Sequence, residues 1–214
     1  MPSPTDTRAI DATALRAALA GARSTIDRHA AGLTRLDAVL GDGDHGDNLS
    51  IGFRAVEELL GELPAETLPG DLLRAVGHRL VAAVGGASGP LYGTAFIEAG
   101  FRARNAGVLE PALVAEMLLA AAAGLSRRGR CSVGDKTILD TLAPAAEAFA
   151  GAVGRGDAEA APAAALGAAL RGMRSTRPLV ARRGLALRLG PRSAGHLDPG
   201  AVSCLLLVVA FLRR

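Results

Sequence analysis

Three aspartates, Asp37, Asp42 and Asp44, stand five and two residues apart in a glycine-dense stretch, residues 36–48, that reads LDAVLGDGDHGDN. Glycine lets a backbone fold sharply, so several carboxylates can be turned toward one point. A hard cation such as Mg²⁺ takes that kind of oxygen donor, together with substrate phosphates. Three carboxylates suffice for two such ions. A calcium loop of the EF-hand type fails on position, because counting from Asp42 its glycine and glutamate fall on Asp47 and Phe53. The same residues also suit a solvated capping loop, since Asp and Gly are common turn residues.

The acidic stretch ends at a helix N-terminus, where unpaired backbone N–H groups and the helix dipole favour an anion. Gly46, Asp47 and Asn48 would present those groups. A metal site and a phosphate site then coincide, as nucleotide chemistry requires. His45 has two readings, a phosphate contact or a structural donor of the loop. A second glycine-rich turn, 85–90 (GGASGP), opens a helix with backbone N–H groups and the Ser88 hydroxyl. A third helix start, Asp198-Pro199-Gly200, reads as an N-cap followed by proline in the first turn. Each is also an ordinary turn or cap. The absence of a P-loop lysine from the acidic and second glycine-rich stretches argues against a Walker-type NTPase.

Helices must position these segments. The 214 residues are 50% hydrophobic but only 3% aromatic, with 27 glycines and a net charge of +3. That balance excludes a disordered chain and predicts one all-α domain spanning residues 1–214. Periodicity marks a first helix at about 12–31, with Leu15, Leu19, Ile26 and Leu33 as its apolar stripe, and a second resuming after residue 48 through Ile51, Phe53, Val56, Leu59 and Leu60. Further helices are predicted at 70–84, 89–105 and 111–125. A sixth runs from 136 or 137 to 149 with Asp135 as its cap, and the last two cover 157–173 and the terminal run to Phe211. Residues 171–192 carry seven arginines and no acid, and read as loop or frayed helix. Eight helices with short connections predict an antiparallel up-and-down barrel or bundle, its sites gathered at one rim.

Of 24 basic residues only Lys136 is lysine. The arginine-rich segment could meet phosphates or an acidic partner subunit, or form a solvated edge. Nucleic acid is disfavoured as a partner, because no binding motif and few base-stacking aromatics are present. Cys131 and Cys204 lack metal-ligand spacing, and with no signal-peptide pattern they imply a reduced, cytoplasmic setting. The longest apolar run, 201–212, is interrupted by Ser203 and falls short of the roughly 18 residues that span a bilayer, so it predicts a buried helix and no membrane segment.

Four motifs together carry a family resemblance: 36–48, 85–93 (GGASGPLYG), 134–142 (GDKTILDTL) and 192–201 (RSAGHLDPGA). In this order the chain resembles the DhaL family, the ADP-binding L subunit, or nucleotide-binding domain, of dihydroxyacetone kinases. The resemblance implies an eight-helix antiparallel barrel with an apolar pocket among the helices and ADP or ATP at one end. It further implies two Mg²⁺ ions on Asp37, Asp42 and Asp44. Nucleotide contacts would come from His45, Gly46, Asp47, Asn48, Ala87 and Ser88, and Gly129, Ile138, Asp198, Pro199 and Gly200 would complete the pocket. It implies phosphoryl transfer to dihydroxyacetone held on a separate K subunit, so that the chain is inactive alone. The nucleotide would exchange as ATP or be rephosphorylated by a phosphohistidine carrier of the sugar phosphotransferase system. A homodimer, another small acceptor, or a nucleotide-loaded regulatory module without turnover are the readings left beside it.

Two departures from the family pattern stand near the site. Residues 184–193 read GLALRLGPRS, placing Leu185 where the family pattern has a nucleotide-contacting arginine; either Arg183 or Arg188 substitutes from a neighbouring position, or that contact is lost. Ala87 stands where threonine is common, which removes one hydroxyl.

Overall fold

Small and branched apolar residues at three- and four-residue spacing run through most of the chain, and they fold as helix. The computed structural model describes residues 9–212, which hold eight α-helices, one 3-10 segment and one pair of two-residue strands. In order these are β1 (Ile10–Asp11), α1 (Ala12–Leu40), α2 (His45–Glu62), α3 (Pro69–Ala83), α4 (Ser88–Arg102), β2 (Val108–Leu109), α5 (Pro111–Gly129), α6 (Leu139–Gly154), α7 (Ala161–Ser175), the 3-10 segment Leu185–Ser193, and α8 (Pro199–Leu212). Each helix packs on the next in sequence, and α8 packs back on α1. Short connections between such neighbours make them antiparallel, and the α1–α8 contact closes the ring into a barrel. One continuous apolar core draws residues from all eight helices, including the predicted stripe Leu15, Leu19, Ile26 and Leu33. The expected apolar pocket is there as a cavity of about 170 Å³, lined by Leu73, Phe96, Met117, Leu142, Leu207 and Phe211 among others.

Helix α1 extends nine residues past its predicted end at Ala31. Leu33, Asp37 and Leu40 continue its buried face, and the chain leaves the helix only at Gly41, whose N–H donates to the Asp37 carbonyl at 2.5 Å. Asp37 is therefore helical, not part of a loop. Helix α2 begins at His45, so residues 45–48 form its first turn. Gly46 allows this close start: a Cβ there would collide with the Ala30 carbonyl of α1.

The start of α6 is corrected more substantially. Asp135 does not cap it; its carboxylate accepts from Ser132 N–H at 3.0 Å. Lys136 lies at φ +63°, which interrupts any helix there. Helix α6 begins at Leu139, and Asp140 gathers the free amides of Gly134 (2.6 Å) and Thr137 (2.7 Å). The helix also runs through Gly151 to Gly154, beyond its expected stop at Phe149. Helix α7 starts later than predicted, because Asp157 accepts from Ala160 N–H at 3.1 Å in a turn before it. The arginine-rich segment is helical at both ends, as the last turns of α7 and as the 3-10 segment, which kinks at Gly190. The strand pair, Ile10 with Leu109 and Asp11 with Val108, was not anticipated. At α8 the prediction holds: the Asp198 carboxylate accepts from Ala201 N–H at 2.7 Å, with Pro199 in the first turn.

Candidate functional site

The end of α1 and the start of α2 fold around one carboxylate. Asp37, 8% exposed, accepts through Oδ2 from the backbone N–H groups of Gly43 (2.9 Å), Asp44 (3.1 Å) and His45 (3.3 Å). Gly43 takes φ +77°, a conformation glycine adopts without strain, and so lets the loop return over Asp37. A side chain at Gly41 would collide with the other Asp37 oxygen. The loop thus leaves one Asp37 oxygen uncrowded and brings exposed Asp42 and Asp44 beside it. Carboxylate oxygens of the three lie within 4.8 Å of one another. The Asp44 carboxyl is held above its ordinary value first by partial desolvation, then by Asp42 and Asp37, against a hydrogen bond from Asn48. The donor set is all hard oxygen, which fits Mg²⁺ and not a soft transition metal.

These carboxylates border a cavity of about 370 Å³ at the barrel rim. Its wall contains Asp37, Asp42, Asp44, His45, Ala87, Ser88, Gly129, Ile138, Asp198, Pro199 and Gly200, eleven of the residues singled out in the sequence. The starts of α4 and α8 therefore open onto the same space as the acidic loop. Gly46, Asp47 and Asn48 are not on that wall. Gly46 is packed against α1, Asp47 is exposed, and Asn48 lies against Gly85 while bonding Asp44.

Several wall residues escaped the sequence reading as site residues. Lys136, the only lysine, is 1% exposed, and its ammonium donates to the carbonyls of Thr176 (2.6 Å) and His196. Burial lowers its proton affinity, opposed by the carboxylates of Asp198 and Asp140. Asp198 is itself pushed up to about 7, foremost by burial and against its bond from Ala201 and the charge of Lys136. Cys131 lines the cavity, and burial raises its thiol; Cys204 faces the inner cavity and is pushed up to about 12 for the same reason. Both cysteines are free and buried.

Leu185 lies on the cavity wall, 41% exposed, and so does Arg183, whereas Arg188 does not. The Arg183 Nε donates to the Arg130 carbonyl at 2.6 Å and lies 3.5 Å from the Asp135 carboxylate, which anchors it at the rim.

His45 is buried, and burial lowers its proton affinity despite the nearby charge of Asp37. Its Nδ1 lies 3.1 Å from Ser88 Oγ and its Nε2 2.8 Å from Ser203 Oγ, which is in turn 2.7 Å from the Tyr92 hydroxyl. The signals for these partners were in the sequence. Tyr92 is the only tyrosine, and Ser203 is the one polar side chain of the terminal apolar run apart from Cys204.

An all-helical barrel with an oxygen-donor cluster at its rim, facing two helix starts and lacking a P-loop, defines a class of phosphate-handling domain distinct from the α/β nucleotide folds. Residues 39–213 match the DAK2 domain, and the chain belongs to that family. It is 41% identical over 185 residues to the ADP-binding subunit DhaL of PEP-dependent dihydroxyacetone kinase 2 from Listeria innocua, covering 85% of each chain. It is 38% identical over 179 residues to the corresponding subunit from Escherichia coli K12, covering 82% of this chain and 84% of that one. Among solved structures, the dihydroxyacetone kinase of C. freundii in complex with AMP-PNP and Mg²⁺ superimposes with a TM-score of 0.74 at 25% identity. That match covers all of this chain and 36% of the longer one.

Proposed function

We propose that this chain is the nucleotide-binding phosphoryl-transfer subunit of a dihydroxyacetone kinase, holding ADP or ATP with Mg²⁺ at the barrel rim. The observation that carries the reading is the convergence of three aspartate carboxylates on a cavity onto which two helix N-termini also open. Asp37, Asp42 and Asp44 would hold two Mg²⁺ ions, whose charge would offset that on the transferring phosphoryl group.

The chain's own residues do the positioning. Three backbone amides on one Asp37 oxygen fix the loop before any ligand arrives, so the acidic cluster needs little ordering on binding. Ala87 and Ser88 offer backbone N–H groups and a hydroxyl at the first turn of α4. At the first turn of α8 Gly200 offers its backbone N–H, Pro199 has none to offer, and Asp198 is the cap. Gly129 and Ile138, the latter beside Gly200, give the wall an apolar surface suited to a nucleobase. Arg183 takes the place of the arginine missing at Leu185, because it reaches the cavity and Arg188 does not.

The sugar acceptor sits on a separate K subunit in this reading, and the chain alone turns nothing over. The relatives' names favour a PEP-dependent route, in which bound ADP is rephosphorylated in place by a phosphohistidine carrier. A cytoplasmic setting accords with that route; among the described residues no helix is long and apolar enough to cross a membrane. A second acceptor is supported by the L-erythrulose 1-kinase and D-erythrulose kinase of Mycolicibacterium smegmatis. They are 34% and 35% identical, with the chain spanning 31% and 30% of their length. Reconstitution with a K subunit and carrier proteins, with dihydroxyacetone and erythrulose offered separately, tests the assignment. Transfer that requires this chain and Mg²⁺ is expected; phosphorylation that proceeds equally well without the chain would refute it.

A further inference from the structure

Lys136 is the only lysine in a chain whose other basic side chains are arginines, and it stands on the wall of the rim cavity. Its backbone is left-handed, at φ +63°. Glycine or asparagine takes that conformation at lower cost, so the backbone alone does not account for a lysine there. The side chain is 1% exposed, and a buried ammonium, stripped of water, must find other partners. It donates to the carbonyls of Thr176, at 2.6 Å, and of His196. A compact ammonium suits a seat between two carbonyls better than the broad planar fork of arginine. The carboxylates of Asp198 and Asp140 favour its charge.

The two carbonyls belong to different segments. Thr176 follows the end of α7, and its hydroxyl accepts from the Asp198 N–H at 3.1 Å. His196 lies in the turn before α8, where the Gly195 N–H donates to the Arg177 carbonyl at 2.7 Å. Lys136 itself belongs to the loop that leads into α6. One ammonium therefore ties the loop that carries Cys131, Thr137 and Ile138 to the segment that carries Asp198, Pro199 and Gly200, and all six of these residues line the cavity. The two stretches of wall meet at Ile138, whose Cβ would stand 3.5 Å from a Cβ placed on Gly200.

We propose that Lys136 is a positioning residue of the nucleotide site, its ammonium fixing the spacing of these two stretches so that Ile138 and Gly200 close on a bound nucleotide as one surface. The proposal rests on the nucleotide reading above. The lysine acts through Ile138 and Gly200, not through the metal ions or the transferring group.

Calorimetric titration with Mg–ADP tests it, on full chains whose melting curves show them folded at the titration temperature. Lys136→Met keeps an apolar stem and removes the donors. It should weaken binding about tenfold, in the range for losing a hydrogen-bonded charge. Lys136→Asn suits the left-handed backbone and should do the same, which keeps the test available if the methionine variant folds poorly. A lysine that only held the fold together would lower the melting temperature and leave the affinity of the folded chain unchanged. In an Ile138→Ala background Lys136→Met should cost less than about threefold, because part of the surface it positions is already gone. In a Ser88→Ala background it should cost about tenfold again, because Ser88, on α4, lies outside the two stretches. Unchanged affinity in a folded Lys136 variant overturns the proposal, and so do losses that are equal in the two backgrounds. A wild type that binds no Mg–ADP overturns the nucleotide reading itself, whereas normal binding by wild type and variants alike overturns only the role of Lys136.

Discussion

The inner cavity and the rim cavity share Tyr92 and Ile138 in their walls, and helices α1, α4, α5 and α8 contribute to both. The inner one, about 170 Å³, has no charged residue around it; the rim cavity, about 370 Å³, has Asp37, Asp42, Asp44, Asp198, Lys136, Arg128 and Arg183. The difference follows from where each lies along a helix. Mid-helix positions facing the axis are set by the 3.6-residue period and are apolar. At helix ends that period stops, amides are left unpaired, and short loops can carry charge. Binding chemistry therefore gathers at the rim, while the interior sets how far apart the rim elements stand.

The largest effect expected from breaking this division is at the acidic cluster. Asp42 is exposed and bonds nothing in the core, so Asp42→Ala should leave thermal stability nearly unchanged. It should lower phosphoryl transfer in the reconstituted kinase about a thousandfold or more, roughly 4 kcal/mol of transition-state stabilisation. A steady-state assay beside a melting curve checks both halves.

The next effect is a pH dependence. The Asp198 carboxyl titrates near 7 in the folded chain, against 3.8 ordinarily, so the folded state holds that proton more tightly than the unfolded one. Its contribution to stability is then greatest below pH 4, declines as pH rises between about 4 and 7, and is flat above. At about 1.4 kcal/mol per pKa unit the full decline has an upper bound of roughly 4 kcal/mol. Asp198→Asn keeps a capping oxygen and removes the titration. The difference in stability between variant and wild type, followed by urea denaturation from pH 5 to 8, should move in favour of the variant as pH rises.

A change confined to the inner cavity should do the reverse of Asp42→Ala. Leu73→Ala, at a buried residue lining that cavity, should cost about 2–4 kcal/mol of stability and leave Mg–ADP affinity within twofold. A parallel loss of affinity would show that the two cavities are not separable. The smallest effect sharpens the rim itself: Arg183→Ala should weaken nucleotide binding about fivefold and Arg188→Ala less than twofold, measured by the same titration.

The barrel was largely legible in the chain because its helices are bounded by strong punctuation. Asp198-Pro199 and Pro111 mark helix starts that the structure keeps within a residue. Boundaries moved where a tertiary contact decided them. Asp37 looked like loop because glycines follow it, yet Leu33 and Leu40 on the same face hold the helix intact to Leu40. Asp135 looked like a cap, and the left-handed backbone at Lys136 displaced that role to Asp140. At the site, the acidic cluster was readable because its members are close in sequence. The bonds of Lys136 to Thr176 and of Ser203 to His45 were not, since those partners stand 40 or more residues apart, and spacing along the chain carries no record of such contacts.

Nucleotide binding in the rim cavity should depend on the acidic cluster. Native mass spectrometry of the purified chain in magnesium, before and after incubation with excess labelled ATP, tests it most directly. A mass increment of one nucleotide with magnesium is expected in the wild type and none in Asp42→Ala. Retained ADP that does not exchange would identify the carrier-fed route, and ready exchange an ATP-dependent one. A wild-type chain that carries no nucleotide under any of these conditions would contradict the claim.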